Sequence, residues 1–180
     1  MILLVAGCMT MDSFFFAGTP VDAYTLPTEV IPAESLEEVE FASEDGTPLF
    51  GVWAHHPAPG APVYVYFHGN TGNIDGYMDR VDTYWSMGFE TFIFDYRGFG
   101  KSEGSPTWDT LLADGRAGAT YVSEATQLPM EELVFHGLSL GSAAAIHTAG
   151  TYTPKVLITE DLFASADKII DHGSGMELPP

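Results

Sequence analysis

One serine in this chain stands in a setting that suits nucleophilic catalysis. Ser139 is the centre of Gly137-Leu138-Ser139-Leu140-Gly141, a G-x-S-x-G pattern with an apolar run before it and a run of small residues after it. Where a strand turns sharply into a helix, glycine is required on both sides of the corner because side chains there would collide. The corner hydroxyl is then raised above the strand end, beside the free N–H groups of the helix N-terminus. The pattern predicts that Ser139 is a nucleophile, with an ordinary tight turn as the alternative.

A second segment with possible chemistry is the glycine-rich HGNTGN from His68 to Asn73, which also follows an apolar run. In an open α/β sheet, the ligand crevice lies at the carboxyl ends of the strands. We therefore expect this segment and Ser139 to lie on one rim of the sheet.

Strands and helices alternate along the part of the chain that must position these segments. Apolar, β-branched runs predict buried strands at 63–67, 90–95, 133–136 and 156–159. Helical spacing predicts one helix around Tyr77 to Trp85, one with Ser105 as its N-cap and Pro106 as its first residue, and one over 141–150. A hairpin with a turn at Asp45-Gly46 precedes them. This order predicts an α/β fold, with a mostly parallel sheet, helices on both faces and an N-terminal antiparallel hairpin.

The order of three motifs resembles the α/β-hydrolase superfamily and, more narrowly, its Bem46-like serine hydrolases. The motifs are HGNTGN, DYRGFGKSEG from Asp95 to Gly104, and GLSLGS, and the resemblance covers about residues 36 to 180. It implies that Ser139 is the nucleophile of acyl transfer. It also implies that the backbone N–H groups of Leu140 and Asn70 form the oxyanion hole.

The resemblance further implies structural roles for several conspicuous polar residues. His68 is expected to shape the oxyanion turn rather than to act as a base, and Asp95 and Arg97 to fix the geometry of their loop through hydrogen bonds. The run Gly100-Lys101-Ser102 is similar to part of a phosphate-binding loop, but Asp95 stands where that pattern requires its first glycine. Nucleotide binding is therefore not expected from this loop.

The acid and the base that such hydrolases place after the nucleophile are not evident in the sequence. The superfamily order is Ser, then Asp or Glu, then His. Asp161 and His172 are the candidates, but Asp161 resembles an ordinary helix start and His172 follows no strand that would hold it. We expect an incomplete α/β-hydrolase fold, a fragment without the catalytic Asp and His, and almost no activity in the chain as it stands.

Composition excludes several other functions. The formal charge is −19, with 25 acidic residues against six Lys plus Arg, and such a field repels nucleic acid. With 46% hydrophobic residues and no run that approaches the ~18 residues of a membrane-spanning helix, the chain is expected to form one globular domain. The single cysteine excludes an internal disulfide and a multi-thiolate metal site. No metal and no cofactor are expected.

The N-terminus resembles the end of a bacterial lipoprotein signal, in which small residues precede a cysteine that becomes lipidated. Val5-Ala6-Gly7-Cys8 fits that pattern, although the apolar run is short and no basic residue precedes it. We interpret residues 1–34 as a partial signal and tether, and residues 35–180 as the N-terminal part of a hydrolase domain. Lipid attachment at Cys8 would place the protein in the bacterial cell envelope, whereas a cytoplasmic location is expected without it.

Two functions from different classes remain at this point. The first is a serine hydrolase that acts on a small-molecule ester or amide. The second is a non-catalytic, lipid-anchored binding protein that retains the hydrolase fold and its pocket.

Overall fold

The computed structural model describes residues 15–162, and a six-stranded sheet lies at their centre. The strands of this part of the chain are β1 (Ala17–Gly18), β2 (Leu36–Ala42), β3 (Pro48–Ala54), β4 (Val63–Phe67), β5 (Thr71–Gly72), β6 (Glu90–Asp95), β7 (Val134–Leu138) and β8 (Val156–Glu160). The order across the main sheet is β2-β3-β6-β4-β7-β8, while β1 and β5 pair separately.

The sheet is parallel except at the N-terminal hairpin. Strands β6, β4, β7 and β8 run parallel to one another, whereas β2 pairs antiparallel with β3, and β3 antiparallel with β6. Every residue of β4 is buried, as expected for a strand covered on both faces. From β4, the chain first adds β6 on one side and then β7 on the other. The crevice at this reversal is where open α/β sheets bind ligands.

Helices cover both faces of the sheet. Helix α1 (Met78–Ser86) packs on one face, and helices α2 (Trp108–Thr126) and α3 (Leu140–Thr151) pack on the other. The predicted fold class is therefore confirmed.

The predicted start of α2 is wrong by two residues. Thr107, not Ser105, is the N-cap, and its side chain and that of Thr110 form a reciprocal capping box. Pro106 instead packs closely against Gly98 in the preceding loop. A Cβ at Gly98 would lie only 2.6 Å from the Cδ atom of Pro106. The proline therefore fixes the approach to the helix rather than its first turn.

Residues 15–31 lie against the domain. Phe15 and Phe16 are buried against Trp108, with ring centroids 5.4 and 5.8 Å from it, and Ile31 is buried on the other face of the sheet. The division of the chain at residue 34 stays a prediction, and Cys8 lies outside the described residues.

Strand β8 forms an open edge of the sheet within residues 15–162. Its apolar side chains Val156, Leu157 and Ile158 are 45%, 39% and 37% exposed, and its only strand partner in this range is β7. Exposed, unpaired apolar strands favour association with other chains. Within the same residues, no helix is both long enough and apolar enough to cross a membrane.

Candidate active site

Ser139 lies at the corner between β7 and α3, in a backbone conformation that few residues adopt. Its φ is 51° and its ψ −113°, and it is the N-cap of α3. A non-glycine residue held in this region costs on the order of 1–3 kcal/mol, so the surrounding structure must enforce it. The side chain is half-buried, and its hydroxyl makes no hydrogen bond with the residues that the structure describes.

The two glycines of the pattern are required by close backbone contacts. A Cβ at Gly137 would lie 2.4 Å from the carbonyl oxygen of Gly141, and a Cβ at Gly141 would lie 1.9 Å from that of Phe67. Neither gap admits a side chain. The second contact also presses the start of α3 directly against the end of β4.

Backbone and side-chain hydrogen bonds hold the corner from below. The Ser139 N–H donates to the carbonyl oxygen of Glu160 at 2.9 Å. The Ser142 hydroxyl, one turn into α3, lies 2.7 Å from the carbonyl oxygen of Gly137 and 2.9 Å from that of Glu160. Ser142 is therefore engaged in the support of the turn.

The segment from His68 to Asn73, called the oxyanion loop below after its predicted role, lies beside this corner. A Cβ at Gly69 would lie 3.7 Å from the carbonyl oxygen of Leu138, the residue before Ser139. The structure thus brings the two predicted segments together at the carboxyl ends of the adjacent strands β4 and β7. Within residues 15–162, the N–H groups of Leu140 and Asn70 donate no hydrogen bond. Whether they bind an oxyanion stays a prediction.

The carbonyl groups of the oxyanion loop are, by contrast, all engaged. Those of residues 68 to 73 accept hydrogen bonds, in chain order, from Tyr96 Oη, His68 Nδ1, Ala17 N, Tyr77 Oη, Thr19 N and Gly76 N. A planar peptide group has its C=O and N–H on opposite sides, so each fixed carbonyl also fixes the direction of the next N–H. The loop is therefore held rigidly by its carbonyl side.

His68 is fully buried, and both of its ring nitrogens face groups other than Ser139. Nδ1 lies 2.8 Å from the carbonyl oxygen of Gly69, and Nε2 lies 3.1 Å from Asp95 Oδ1, without hydrogen-bonding geometry. A carbonyl oxygen only accepts, so Nδ1 carries a hydrogen. These contacts fit the turn-shaping role expected for His68.

Arg97 and Asp95 fix their loop through hydrogen bonds, as expected. The guanidinium of Arg97 contacts the fully buried Asp114 at 2.8 Å and the exposed Asp45 at 2.9 Å. Asp114, and after it Asp45, hold the pKa of Arg97 above its usual value, although burial opposes this. Asp95 accepts from the hydroxyl of Tyr24 at 2.6 Å.

A partly buried polar cluster beside the corner was not predicted from the sequence. His136 on β7 contacts the hydroxyl of Tyr64 through Nδ1, and its Nε2 lies 3.0 Å from Glu160 Oε1. Arg80 donates to the other carboxylate oxygen of Glu160 at 2.6 Å. Burial lowers the pKa of His136, and Glu160 offsets this only in part. The sequence carried no clear signal for this cluster, because a tyrosine or a histidine within a buried strand resembles an ordinary core residue.

None of the five histidines in the described range contacts Ser139. His55 lies between Glu37 and Glu90, at 2.9 and 3.0 Å, while His56 packs on Trp85 and His147 lies near Arg116. Asp161 is exposed at the end of β8, and His172 lies outside the described residues. In the same range, no group of three His, Cys, Asp or Glu side chains is placed to hold a metal ion.

Comparison with known proteins places this geometry in a family context. Residues 59–173 match the family model Hydrolase_4, described as serine aminopeptidase, S33. The uncharacterized protein YfhR of Escherichia coli K12 is 34% identical over 151 residues, which are 78% of this chain and 53% of that protein. Protein bem46 of Schizosaccharomyces pombe is 32% identical over 112 residues, 61% of this chain and 38% of its own length.

Among solved structures, the Pyrococcus furiosus esterase Pf2001 is similar, with a TM-score of 0.54 and 26% identity. The match covers 62% of this chain and 44% of that esterase. The chain thus spans about half the length of the relatives that it matches.

Proposed function

This chain belongs to the Hydrolase_4 family of α/β hydrolases, the serine aminopeptidase S33 group, and on that premise we propose that it carries the nucleophile and the oxyanion hole of a serine hydrolase. The observation that carries the proposal is the backbone of Ser139. It holds a φ of 51° that only a well-supported turn can maintain, and it leaves the hydroxyl without a partner in residues 15–162. Strained residues with unengaged nucleophilic groups are typical of active sites.

In the proposed reaction, Ser139 Oγ attacks the carbonyl carbon of an ester or amide, and its proton passes to a general base. The C=O electron pair moves to oxygen, and the resulting oxyanion is held by the N–H groups of Leu140 and Asn70. Each such donor contributes about 3–4 kcal/mol to stabilisation of the transition state. The C=O bond then re-forms and expels the leaving group, which takes the proton from the base. Water attacks the acyl carbon in the same way, its proton passes to the base, and collapse of this second intermediate releases the carboxylic acid while Ser139 Oγ regains a proton.

We place the acid and the base of this reaction outside residues 15–162, because no described histidine contacts Ser139. Removing the base from such a site lowers turnover by on the order of a million-fold. Residues 15–162 by themselves are therefore expected to support only slow acylation of Ser139 and still slower release of the acyl group.

The substrate is proposed to be a small ester or amide. The family name refers to peptide bonds and the solved neighbour is an esterase, so both carbonyl types belong in the assay. Strong negative charge disfavours polyanionic substrates.

The experiment uses p-nitrophenyl acetate, which also acetylates lysines, and therefore detects the acetyl group on the peptide that contains residue 139 by mass spectrometry. Wild type should accumulate an acetyl adduct, and imidazole, which supplies an external base, should accelerate its formation. Ser139→Ala should form none. Ser123→Ala is the matched control, because its hydroxyl is engaged with the carbonyl oxygen of Leu128 at 2.6 Å, far along α2. A folded wild-type chain that never acylates, even with imidazole, would favour the non-catalytic binding protein.

Attachment to the cell envelope through Cys8 is a separate proposal that rests on the run Val5-Ala6-Gly7-Cys8. Radiolabelled palmitate should enter wild type and not Cys8→Ala. Incorporation that persists in the variant would refute it.

A further inference from the structure

A short segment before the hydrolase domain lies directly on the oxyanion loop. We call residues 17–24 the strap. Its N-terminal end forms β1, which pairs in parallel with β5, so that Ala17 faces Thr71 and Gly18 faces Gly72. The strap therefore adds a strand to the loop that carries Asn70.

Three hydrogen bonds join the strap to the oxyanion loop. The N–H of Ala17 donates to the carbonyl oxygen of Asn70 at 2.9 Å, and that of Thr19 donates to Gly72 at 2.7 Å. In return, the side-chain amide of Asn73 donates to the carbonyl oxygen of Thr19 at 3.0 Å. Two of the loop's six carbonyl groups are thus held by the strap alone.

The other side of the strap lies on the loop that follows β6. Val21 N donates to the carbonyl oxygen of Gly100 at 2.9 Å, and Gly100 N donates to that of Thr19 at 3.2 Å. The approach is so close that a Cβ on Gly18 would lie 2.7 Å from both the carbonyl oxygen of Gly98 and the ring of Phe99. The strap is consequently clamped between two loops.

The last residue of the strap, the half-buried Tyr24, reaches the loop by a second route, through the buried side chains of Asp95 and His68. Tyr24 Oη donates to Asp95 Oδ2 at 2.6 Å, Asp95 Oδ1 lies 3.1 Å from His68 Nε2, and His68 Nδ1 donates to the carbonyl oxygen of Gly69. Burial, and then the charge of Asp95, raise the pKa of Tyr24 well above its ordinary value. Its hydroxyl therefore keeps its proton at neutral pH and remains the donor.

Both routes end on the peptide groups that flank the N–H of Asn70. The carbonyl of Gly69 belongs to the same planar peptide as the Asn70 N–H, so fixing one fixes the direction of the other. The carbonyl of Asn70 belongs to the next peptide, which Ala17 holds. Contacts on both sides leave the Asn70 N–H little freedom to turn.

We propose that the strap is a positioning element for the oxyanion hole and that Tyr24, acting through Asp95 and His68, is its positioning side chain. This inference rests on the proposed function, because it assigns the strap to the donor Asn70. Its chemical consequence is that strap contacts set the rate of the bond-forming step rather than the binding of the substrate.

The test compares Tyr24→Phe with Tyr152→Phe in the full chain, with a fluorophosphonate probe and imidazole present. Tyr152 is the control because its hydroxyl bonds to Thr120 at 3.3 Å and touches neither the strap nor the oxyanion loop, whereas that of Tyr24 contacts both Asp95 and the N–H of Lys101. Loss of a whole oxyanion donor costs about 10²–10³-fold, so a misaligned donor is expected to slow phosphonylation about tenfold at saturating probe. The half-saturating concentration of probe should stay within about twofold of wild type, and Tyr152→Phe should match wild type.

Gly18→Ala provides a second variant that removes no hydrogen-bonding group. The new methyl group would collide with Gly98 and Phe99 and push the strap away. Amide hydrogen exchange at Ala17 and Thr19 should rise in both variants, while the amides of β4 keep their protection and show that the core is folded.

The outcomes separate the two proposals. Faster exchange at Ala17 and Thr19 with unchanged phosphonylation overturns the positioning role, and so does unchanged exchange in both variants. A wild-type chain that never reacts overturns the proposed function instead, because hydrogen exchange does not depend on Ser139.

Discussion

The two sides of the candidate active site differ in what the described residues supply. On the oxyanion side, all six carbonyl groups from His68 to Asn73 accept hydrogen bonds, and the strap and buried side chains hold the loop. On the nucleophile side, the backbone of Ser139 is equally well fixed, but its hydroxyl has no partner in residues 15–162. The carbonyl side of the oxyanion loop is thus fully engaged, whereas Ser139, the proposed nucleophile, has no activating group among residues 15–162.

This difference reflects the physical demands of the two tasks. An oxyanion hole needs fixed dipoles, which backbone N–H groups provide once neighbouring carbonyls are held. Activation of a serine needs a group that takes and returns a proton, and thus a side chain of suitable pKa within hydrogen-bond reach. Local backbone contacts can build the first, while the second requires one particular side chain from elsewhere in the fold.

The largest effect is expected at the buried ion pair between Arg97, in the loop that follows β6, and Asp114 on α2. Arg97→Leu leaves Asp114 buried without its guanidinium partner, which should lower the free energy of unfolding by about 3–5 kcal/mol. Arg116→Leu is the control: Arg116 pairs with Glu44 at a half-exposed site, and its loss should cost less than about 1 kcal/mol. Urea unfolding measures both, and equal losses would show that burial of Asp114 does not matter.

A smaller effect is expected where the two sides meet. In Gly141→Ala the added methyl group would lie 1.9 Å from the carbonyl oxygen of Phe67, so α3 must move away from β4 at a cost of about 3 kcal/mol. Gly150→Ala, in the same helix with no atom within 4 Å of the new group, should be neutral or stabilising by up to about 1 kcal/mol. The same melting curves should show this contrast, and a well-tolerated alanine at 141 would mean that the two sides are not pressed together.

The sequence predicts the turn at Ser139 better than the contacts of the oxyanion loop, and the reason is physical. The turn at Ser139 is dictated by two nearby glycines, so a five-residue pattern sufficed, and the strands of the sheet were predicted to within about two residues by their apolar runs. The strap was missed because its contacts are mostly backbone hydrogen bonds between segments about 50 to 80 residues apart, and these leave no periodicity in a Thr- and Pro-rich stretch. The His136 cluster was missed because a tyrosine or histidine in a buried strand resembles ordinary core.

The smallest expected effect is on how the free energy of unfolding depends on pH. His136 lies beside the corner at Ser139 with a pKa that burial lowers, so its neutral form is favoured in the folded state. Stability from this group should be full above the unfolded pKa of ~6.5 and decline as pH falls below it. His136→Gln should flatten that decline, as followed by unfolding between about pH 7.5 and 5.

His55 offers the opposite sign as an internal comparison. Burial lowers its pKa, but hydrogen bonds with Glu37 and Glu90 outweigh this and raise it overall. Its contribution should be full below ~6.5 and disappear as pH rises through the raised value. His55→Gln should therefore lose stability on the acid side, where His136→Gln gains it relative to wild type. The same sign in both variants would contradict the account of the two environments.

The central claim is that Ser139 is the nucleophile of a pre-formed oxyanion site, and mapping the site of phosphonylation tests it most directly. The full chain is treated with a fluorophosphonate, with and without imidazole, then digested and sequenced by mass spectrometry. We predict an adduct on Ser139 that imidazole increases, none in Ser139→Ala, and an adduct retained at 139 in Ser142→Ala. An adduct on another residue, or a folded chain that carries none under either condition, would contradict the claim.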